Sequence, residues 1–398
     1  MTLPPLSLYI HIPWCVRKCP YCDFNSHQAS SELPEHEYIQ ALLSDLEHDL
    51  PYVQGRVIES IFFGGGTPSL LSAKAYGTLF HGLQQRLTFA DDIEITLEAN
   101  PGTFEAEKFA AYRQTGINRL SVGVQSFQNA QLSALGRIHD GEQAQRAAAM
   151  IRDAGFDNFN LDLMHGLPGQ SVEAALDDLR TALSFSPTHL SWYQLTIEPN
   201  TEFFKYPPTL PDDDTLWDIQ DAGHALLSQG GFGHYEISAY AQPGREARHN
   251  VNYWQFGDYL GLGAGAHGKI TQIGPDVRSV TAADGTSADS HSNNRLSVIR
   301  TRKTRLPKDY LNPERPFLAA SERIDEEDIG LECLMNALRL HQGIPLSMFE
   351  ARTGQSLQRI EHAVQVARQK GLLSAGDPIQ ATPLGRQYLN ELLALFLA

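Results

Sequence analysis

Cysteine is scarce in this 398-residue chain: there are four, and three of them, Cys15, Cys19 and Cys22, crowd into one short segment. A disulfide-stapled secreted domain would spread an even number along its length, so that framework is excluded. Long apolar runs are missing too, and nothing approaches the roughly eighteen consecutive apolar residues of a spanning helix. No basic residue precedes Arg17, so the charged start of a secretory leader is not seen and a cytoplasmic address is expected. Positive charge is in short supply overall, with 31 Lys plus Arg against 47 Asp plus Glu and a formal net charge of −16. Duplex-binding domains carry the opposite imbalance, which argues against nucleic acid as a partner. What is present is an ordinary globular composition in a chain long enough to bury a large core without staples.

Strand-like runs recur in a regular rhythm at Leu6–Pro13, Val57–Gly64, Ile93–Ala99, Arg119–Val124, Phe159–Met164 and His189–Ile197. Helical periodicity fills the intervals, with Leu42, Leu46 and Leu50, then Leu79, Leu83 and Leu87, then Leu176, Leu179 and Leu183 on successive faces. Ser72, Thr103 and Ser171 are placed to cap helices, and Gly116 and Gly155 to close them. Six β-α units in series predict a parallel α/β sheet with right-handed crossovers, as a partial barrel or an open doubly wound sheet. Polar and glycine residues gather after the first, second and fifth strands, the end where such folds place their sites.

Residues 1–268 are read as this α/β domain, 269–323 as a polar connecting region and 324–398 as a helical, winged-helix-like domain. The low-complexity piece Ser279–Asn294 is expected to be an exposed hairpin or loop. The last domain carries more acidic than basic side chains, so it reads as a docking or lid domain and not a DNA reader. Cys333, in an apolar helical pattern, is expected in its core.

The segment IPWCVRKCPYCDFNSH has C-x3-C-x2-C spacing. A zinc site would want a second cysteine pair, which is not there. Three thiolates on a short loop suit an iron–sulfur cluster with one iron left open to another ligand. Downstream, the FGGGTP run from Phe63 to Pro68 lets backbone approach a ligand closely. Glu98, Gln125 and Asp162 put polar groups at or near the ends of apolar strands, which is costly unless they are paired or used.

The cysteine spacing after a first strand, with Tyr21 inside it, resembles the radical S-adenosylmethionine (SAM) superfamily. That resemblance implies a partial (β/α)6 barrel and a [4Fe–4S] cluster held by Cys15, Cys19 and Cys22. It further implies SAM chelated at the open iron and cleaved to a 5′-deoxyadenosyl radical. By likeness to the porphyrin-related branch, SAM contacts fall to Tyr9, Tyr21, Gly65, Gly66, Thr67, Glu98, Gln125, Arg137 and Asp162.

That branch contains oxygen-independent coproporphyrinogen III dehydrogenases and the HemW family of haem chaperones, and the resemblance to it spans nearly the whole chain. The dehydrogenases carry a further cysteine where this chain has Phe24, and an extension before the first strand. The run His249-Asn250-Val251-Asn252-Tyr253-Trp254 resembles the H-N-x-x-Y-W haem-binding element of the HemW family. It implies His249 as iron ligand or haem anchor, with Asn250, Tyr253 and Trp254 shaping the pocket. The expected function is haem delivery to haem-requiring proteins, membrane respiratory enzymes among them, with homodimers possible. The alternative is oxidative decarboxylation of coproporphyrinogen III, and a structural zinc protein is the plain third reading. Other features read as ordinary structure: His11, His27 and His267 as hydrogen-bonded histidines, Arg300 to Lys308 as a solvated basic run and Glu391–Ala398 as a packed helix end. His165 is placed at the border of the SAM site.

Overall fold

A computed structural model describes residues 2–29, 32–103, 106–275 and 294–397. Strand β1 spans Leu6–Ile12, β2 Trp14–Cys15 and β3 His27–Gln28. The next five are β4 Ile58–Gly65, β5 Phe89–Ala99, β6 Arg119–Gln125, β7 Phe159–His165 and β8 His189–Gln194. Then come β9 Gly233–Glu236, β10 Ala239–Ala241, β11 Asp258–Leu262, β12 His267–Pro275, β13 Asn294–Lys303 and β14 Leu318–Arg323.

Twelve of these form one sheet in the order β14-β13-β12-β11-β1-β4-β5-β6-β7-β8-β10-β9. The stretch from β11 to β8 is parallel throughout, and the two flanks are antiparallel. All six strands read from the sequence are in it. The seventh parallel strand, β11, has the sequence DYLGL, whose shortness and glycine hid it from a reading based on apolar runs. Alternation explains how a single strand serves both core and site. Leu6, Leu8, Ile10 and Ile12 of β1 are fully buried in the core that faces the helices, while Tyr9 lines a cavity. The same split recurs in β5, where Ile95 and Leu97 join the core and Glu98 faces a cavity.

Caps fall where short polar side chains predict them. Ser72 accepts from the Ala75 amide and Ser171 from the Ala174 amide. The Thr103 hydroxyl donates to the Asn100 carbonyl at 2.9 Å and lies 3.0 Å from the Ser69 hydroxyl, and the residues just after it lie outside the described ones. Gly116 and Gly155 follow helices with positive φ, a conformation that suits glycine.

The region from 269 to 323, read as a polar connection, instead supplies most of β12 and all of β13 and β14 to the sheet. Several of the basic residues that disguised it are paired. Lys303 reaches Asp45 at 2.5 Å and Asp49 at 2.8 Å, with its side chain 1% exposed. Most of the Ser279–Asn294 piece lies outside the described residues. The C-terminal helices Glu326–Ala337, Leu346–Thr353 and Gln358–Gln369 pack around Cys333, Leu334 and Phe349. Bridges Ile344↔Ile379 and Leu373↔Ala381 add a small wing. Among the described residues no helix is long and apolar enough to cross a membrane.

Candidate functional site

The cysteine loop is closed at its base by sheet pairing. Trp14 pairs with His27 and Cys15 with Gln28, so the intervening residues leave and rejoin the fold at one point. The far side is tied down by the Phe203 amide, which donates to the Pro20 carbonyl at 3.0 Å. The glycine run docks on the same base: the Gly66 amide donates to the Ile12 carbonyl and the Thr67 amide to the Trp14 carbonyl. Gly65 has φ +111°, and a Cβ there would strike the His11 ring. Glycine is required by both its backbone conformation and its surroundings.

These two loops and the strand ends enclose a cavity of about 350 Å³. Its walls include Cys15, Cys19, Cys22, Tyr21, Gly65, Gly66, Thr67, Glu98, Gln125, Arg137 and Asp162. Eleven of the twelve cluster and SAM residues expected from the sequence therefore face one space, and the twelfth, Tyr9, lines the neighbouring cavity. Glu98 accepts from the Gly65 amide at 3.2 Å. Enclosure, and then the Asp162 carboxylate, push its carboxyl up to about 8. Asp162 is held by Ser121 at 3.1 Å and Asn160 at 2.7 Å, while burial raises its pKa. Gln125, at φ +70°, occupies the left-handed region that non-glycine residues seldom enter, and its side-chain amide oxygen Oε1 accepts from the Tyr193 hydroxyl at 2.8 Å. Arg137 sits 3.4 Å from the Cys19 sulfur and 3.4 Å from the Tyr21 hydroxyl, and it donates to the Gly123 carbonyl at 2.7 Å.

The residues present fit a [4Fe–4S] cluster and SAM. The donor set is three thiols, with those of Cys15 and Cys22 raised mainly by burial. Among the described residues no three His, Cys, Asp or Glu side chains stand close enough to share a single metal ion. A multi-iron cluster instead spreads its ligands over several metal atoms. The glycine cradle and the buried, unpartnered Arg137 Nε are the features of a place built for a polar ligand.

A second cavity of about 430 Å³ lies alongside, lined by Tyr9, His11, Asn25, His249, Tyr253, Tyr259, Gly265 and His267. Phe24, Gly65 and Glu98 line both spaces and form their common wall. Phe24, where a dehydrogenase-like chain would carry cysteine, is 60% exposed at that rim. The His249 ring rests on Phe62 with centroids 5.2 Å apart, and its Nδ1 lies 3.3 Å from the Ser60 hydroxyl. Burial, then Arg119, lower its pKa to about 4, so the imidazole is neutral with Nε2 uncommitted.

The structure separates the H-N-x-x-Y-W residues. His249 and Tyr253 face the cavity, whereas Asn250 and Trp254 are not among its lining residues. Trp254 instead packs on the C-terminal domain, with the Arg339 guanidinium 5.4 Å from its ring. Helical geometry is the reason: within Arg248–Trp254, positions four apart share a face and Trp254 is turned away from it. His11 and His27 are hydrogen-bonded as expected, to Tyr9 and Asn25. His267 is different, being exposed and without a side-chain hydrogen bond among the described residues. Its glycine-rich neighbourhood, LGLGAGAHG, was the overlooked signal. His165 stacks against Trp192 at 4.2 Å and lines neither cavity. Within the basic run Arg300 pairs with Glu332, Arg302 with Glu322 and Lys303 as above, while Arg305 Nε donates to the Asn25 side-chain oxygen.

Comparison with known proteins gives the family. Residues 9–182 match the family model of the radical SAM superfamily, and residues 324–388 match that of the HemN C-terminal domain. A curated Escherichia coli protein named heme chaperone HemW is 51% identical, with 100% of this chain and 99% of that protein covered. Its Haemophilus influenzae counterpart is 48% identical over 99% of this chain and 98% of its own length. The solved E. coli coproporphyrinogen III oxidase HemN, described as a radical SAM enzyme, superposes with a TM-score of 0.78. At 23% identity, covering 99% of this chain and 90% of that one, it speaks for the fold.

Proposed function

Because this chain belongs to the HemW family of the radical SAM superfamily, we propose that it is a haem chaperone that binds haem and passes it to haem-requiring proteins. Its cofactors are a [4Fe–4S] cluster and SAM, with haem as cargo. The observation that carries the reading is the cavity where His249 presents an uncommitted imidazole nitrogen beside the aromatic rings of Tyr9, Phe62 and Tyr253. A neutral imidazole ligates haem iron, and flat aromatic walls suit a macrocycle.

The protein's own residues divide the remaining work. Cys15, Cys19 and Cys22 hold the cluster, and Gly65, Gly66 and Thr67 present backbone to SAM. Glu98, Gln125 and Asp162 orient SAM from the strands and Arg137 from the loop before the helix Gly141–Asp153, and Tyr21 packs beside it. When bound, the reduced cluster supplies an electron to SAM. On this reading haem lies next to the cofactor site, because Phe24, Gly65 and Glu98 line both cavities. Further parts of the proposal are a cytoplasmic location, membrane respiratory enzymes as recipients, and dimers during cluster loading. A decarboxylase of coproporphyrinogen is disfavoured, since Phe24 stands where that branch places a cysteine.

The test is an anaerobic haem titration of cluster-reconstituted protein followed by its Soret band. Saturable binding near one haem per chain, weakened in His249→Ala, is the expected result. No saturable binding overturns the proposal.

A further inference from the structure

One histidine of the second cavity has no assigned task. Three histidines line this space, and only two of them have an uncommitted ring nitrogen. His11 is tied at both nitrogens, Nδ1 to the Tyr9 hydroxyl at 2.9 Å and Nε2 to the Asn25 carbonyl at 2.9 Å. His249 is engaged only through Nδ1. His267 makes no side-chain hydrogen bond among the described residues, and it lines the same cavity.

Strand pairing relates the two available rings. Tyr9 on β1 pairs with Phe62 of β4 on one side and with Gly261 of β11 on the other. The antiparallel pair Tyr259↔Lys269 then brings His267 of β12 across from Gly261. Phe62, Tyr9, Gly261 and His267 thus form one row over four neighbouring strands. His249 is stacked over the Phe62 end, and His267 stands at the other. Three strand intervals of about 4.8 Å keep these ends within about 14 Å of each other. A Cβ on Gly261 would run into the His267 backbone. Glycine there lets β12 lie close over β11, which carries His267 to the mouth of the cavity. Imidazole–metal bonds are about 2 Å long, so one side chain from each end can reach a metal held between them.

From this placement we infer that His267 is a second iron-binding imidazole, meeting haem from the β12 side while His249 meets it from the β4 side. The inference rests on the haem-carrier reading and adds to it a six-coordinate iron. It explains why His267 is kept without a protein partner while its neighbours Arg300 and Arg302 are paired off with Glu332 and Glu322. Coordination by an exposed residue also leaves one side from which a recipient protein can displace a ligand.

The experiment compares ferric haem complexes of the cluster-reconstituted full chain, its His267→Ala variant and its His249→Ala variant by absorption and electron paramagnetic resonance. The wild type is expected to be low-spin and six-coordinate. His267→Ala should still bind haem but lose the low-spin signal, and added imidazole should restore it. A high-spin wild type, or a low-spin signal unchanged in His267→Ala, overturns the role of His267 while leaving a haem carrier intact. Loss of saturable binding in the wild type itself overturns the carrier reading and this inference with it. His267 is exposed and outside the core, so its alanine variant is expected to fold.

Discussion

Arg137 places its guanidinium 3.4 Å from the sulfur of Cys19 although the two residues are 118 positions apart in the chain. The arginine is anchored by the Gly123 carbonyl at 2.7 Å, so the charge is fixed beside the thiol and does not wander over the surface. A fixed cation next to a cluster ligand favours the state with one more electron. Arg137→Gln is therefore expected to make the cluster harder to reduce, lowering its midpoint potential on the order of tens of millivolts. Potentiometric titration reads this directly. An unchanged or higher potential would mean that the arginine serves only to hold Tyr21 and Gly123.

Cys19 lies on a loop outside the main core, whose ends are already clamped by the pairing of β2 with β3. Cys19→Ala should abolish assembly of the [4Fe–4S] cluster while leaving the far-ultraviolet circular dichroism of the barrel intact. Iron and labile sulfide assays on the anaerobic protein check it. A full complement of both in the variant would show that the cluster has other ligands.

Gly66 and Gly77 make a matched pair. A Cβ at Gly66 would lie 2.5 Å from the Trp14 carbonyl oxygen, whereas one at Gly77 meets nothing within 4 Å. Gly66→Ala must push the glycine loop off the base of the cysteine loop, and SAM binding should be lost in equilibrium dialysis. Gly77→Ala, inside the helix Ala73–Gln84, should instead stabilise the fold by about 0.5–1 kcal/mol. Equal effects of the two substitutions would refute the steric argument.

Lys303 is buried against Asp45 and Asp49, and the Tyr310 hydroxyl donates to Asp45 at 2.6 Å. Lys303→Met leaves two carboxylates without their cation in the core, at a cost of about 3–5 kcal/mol. Denaturant unfolding of the apo chain should show that loss. A change well under 1 kcal/mol would place the lysine in solvent contact.

Where the barrel meets the C-terminal domain, His234 lies 3.9 Å from His341 and 4.9 Å from His224, ring to ring. Burial lowers His234 to about 4 and His341 to about 3, and it lowers His224 as well. Arg386 adds to each shift, Asp221 opposes it at His224, and Trp192 and Tyr240 complete the surround. Unfolded histidines take up protons near pH 6.5, while folded His234 and His341 resist until about pH 4 or below. The stabilising contribution is thus complete above about pH 6.5 and declines as the pH falls below it. Melting temperature should drop between pH 7 and pH 5, and His341→Phe should make that drop shallower. Identical pH profiles for variant and wild type would remove the histidine contact from the account.

The amino-acid sequence by itself determined the elements whose signals are local. Strand rhythm, the Ser72 and Ser171 caps and the cysteine spacing each depend on residues a few positions apart, because hydrogen-bond periodicity and cluster ligation are short-range in the chain. The sequence also picked out polar residues of the strands, since Glu98, Gln125 and Asp162 interrupt apolar patterns. Tertiary structure alone decided which side chains share a space. Asn25 donates to the Arg305 carbonyl across 280 positions, and Lys303 reaches Asp45 across 258, so a lysine in a run that looked solvated is buried by the fold. The same long-range pairing put β12, β13 and β14 into the sheet, directed Trp254 to the C-terminal domain and brought His267 to the cavity that His249 also lines. Those outcomes follow from strand order and register, which local periodicity does not encode.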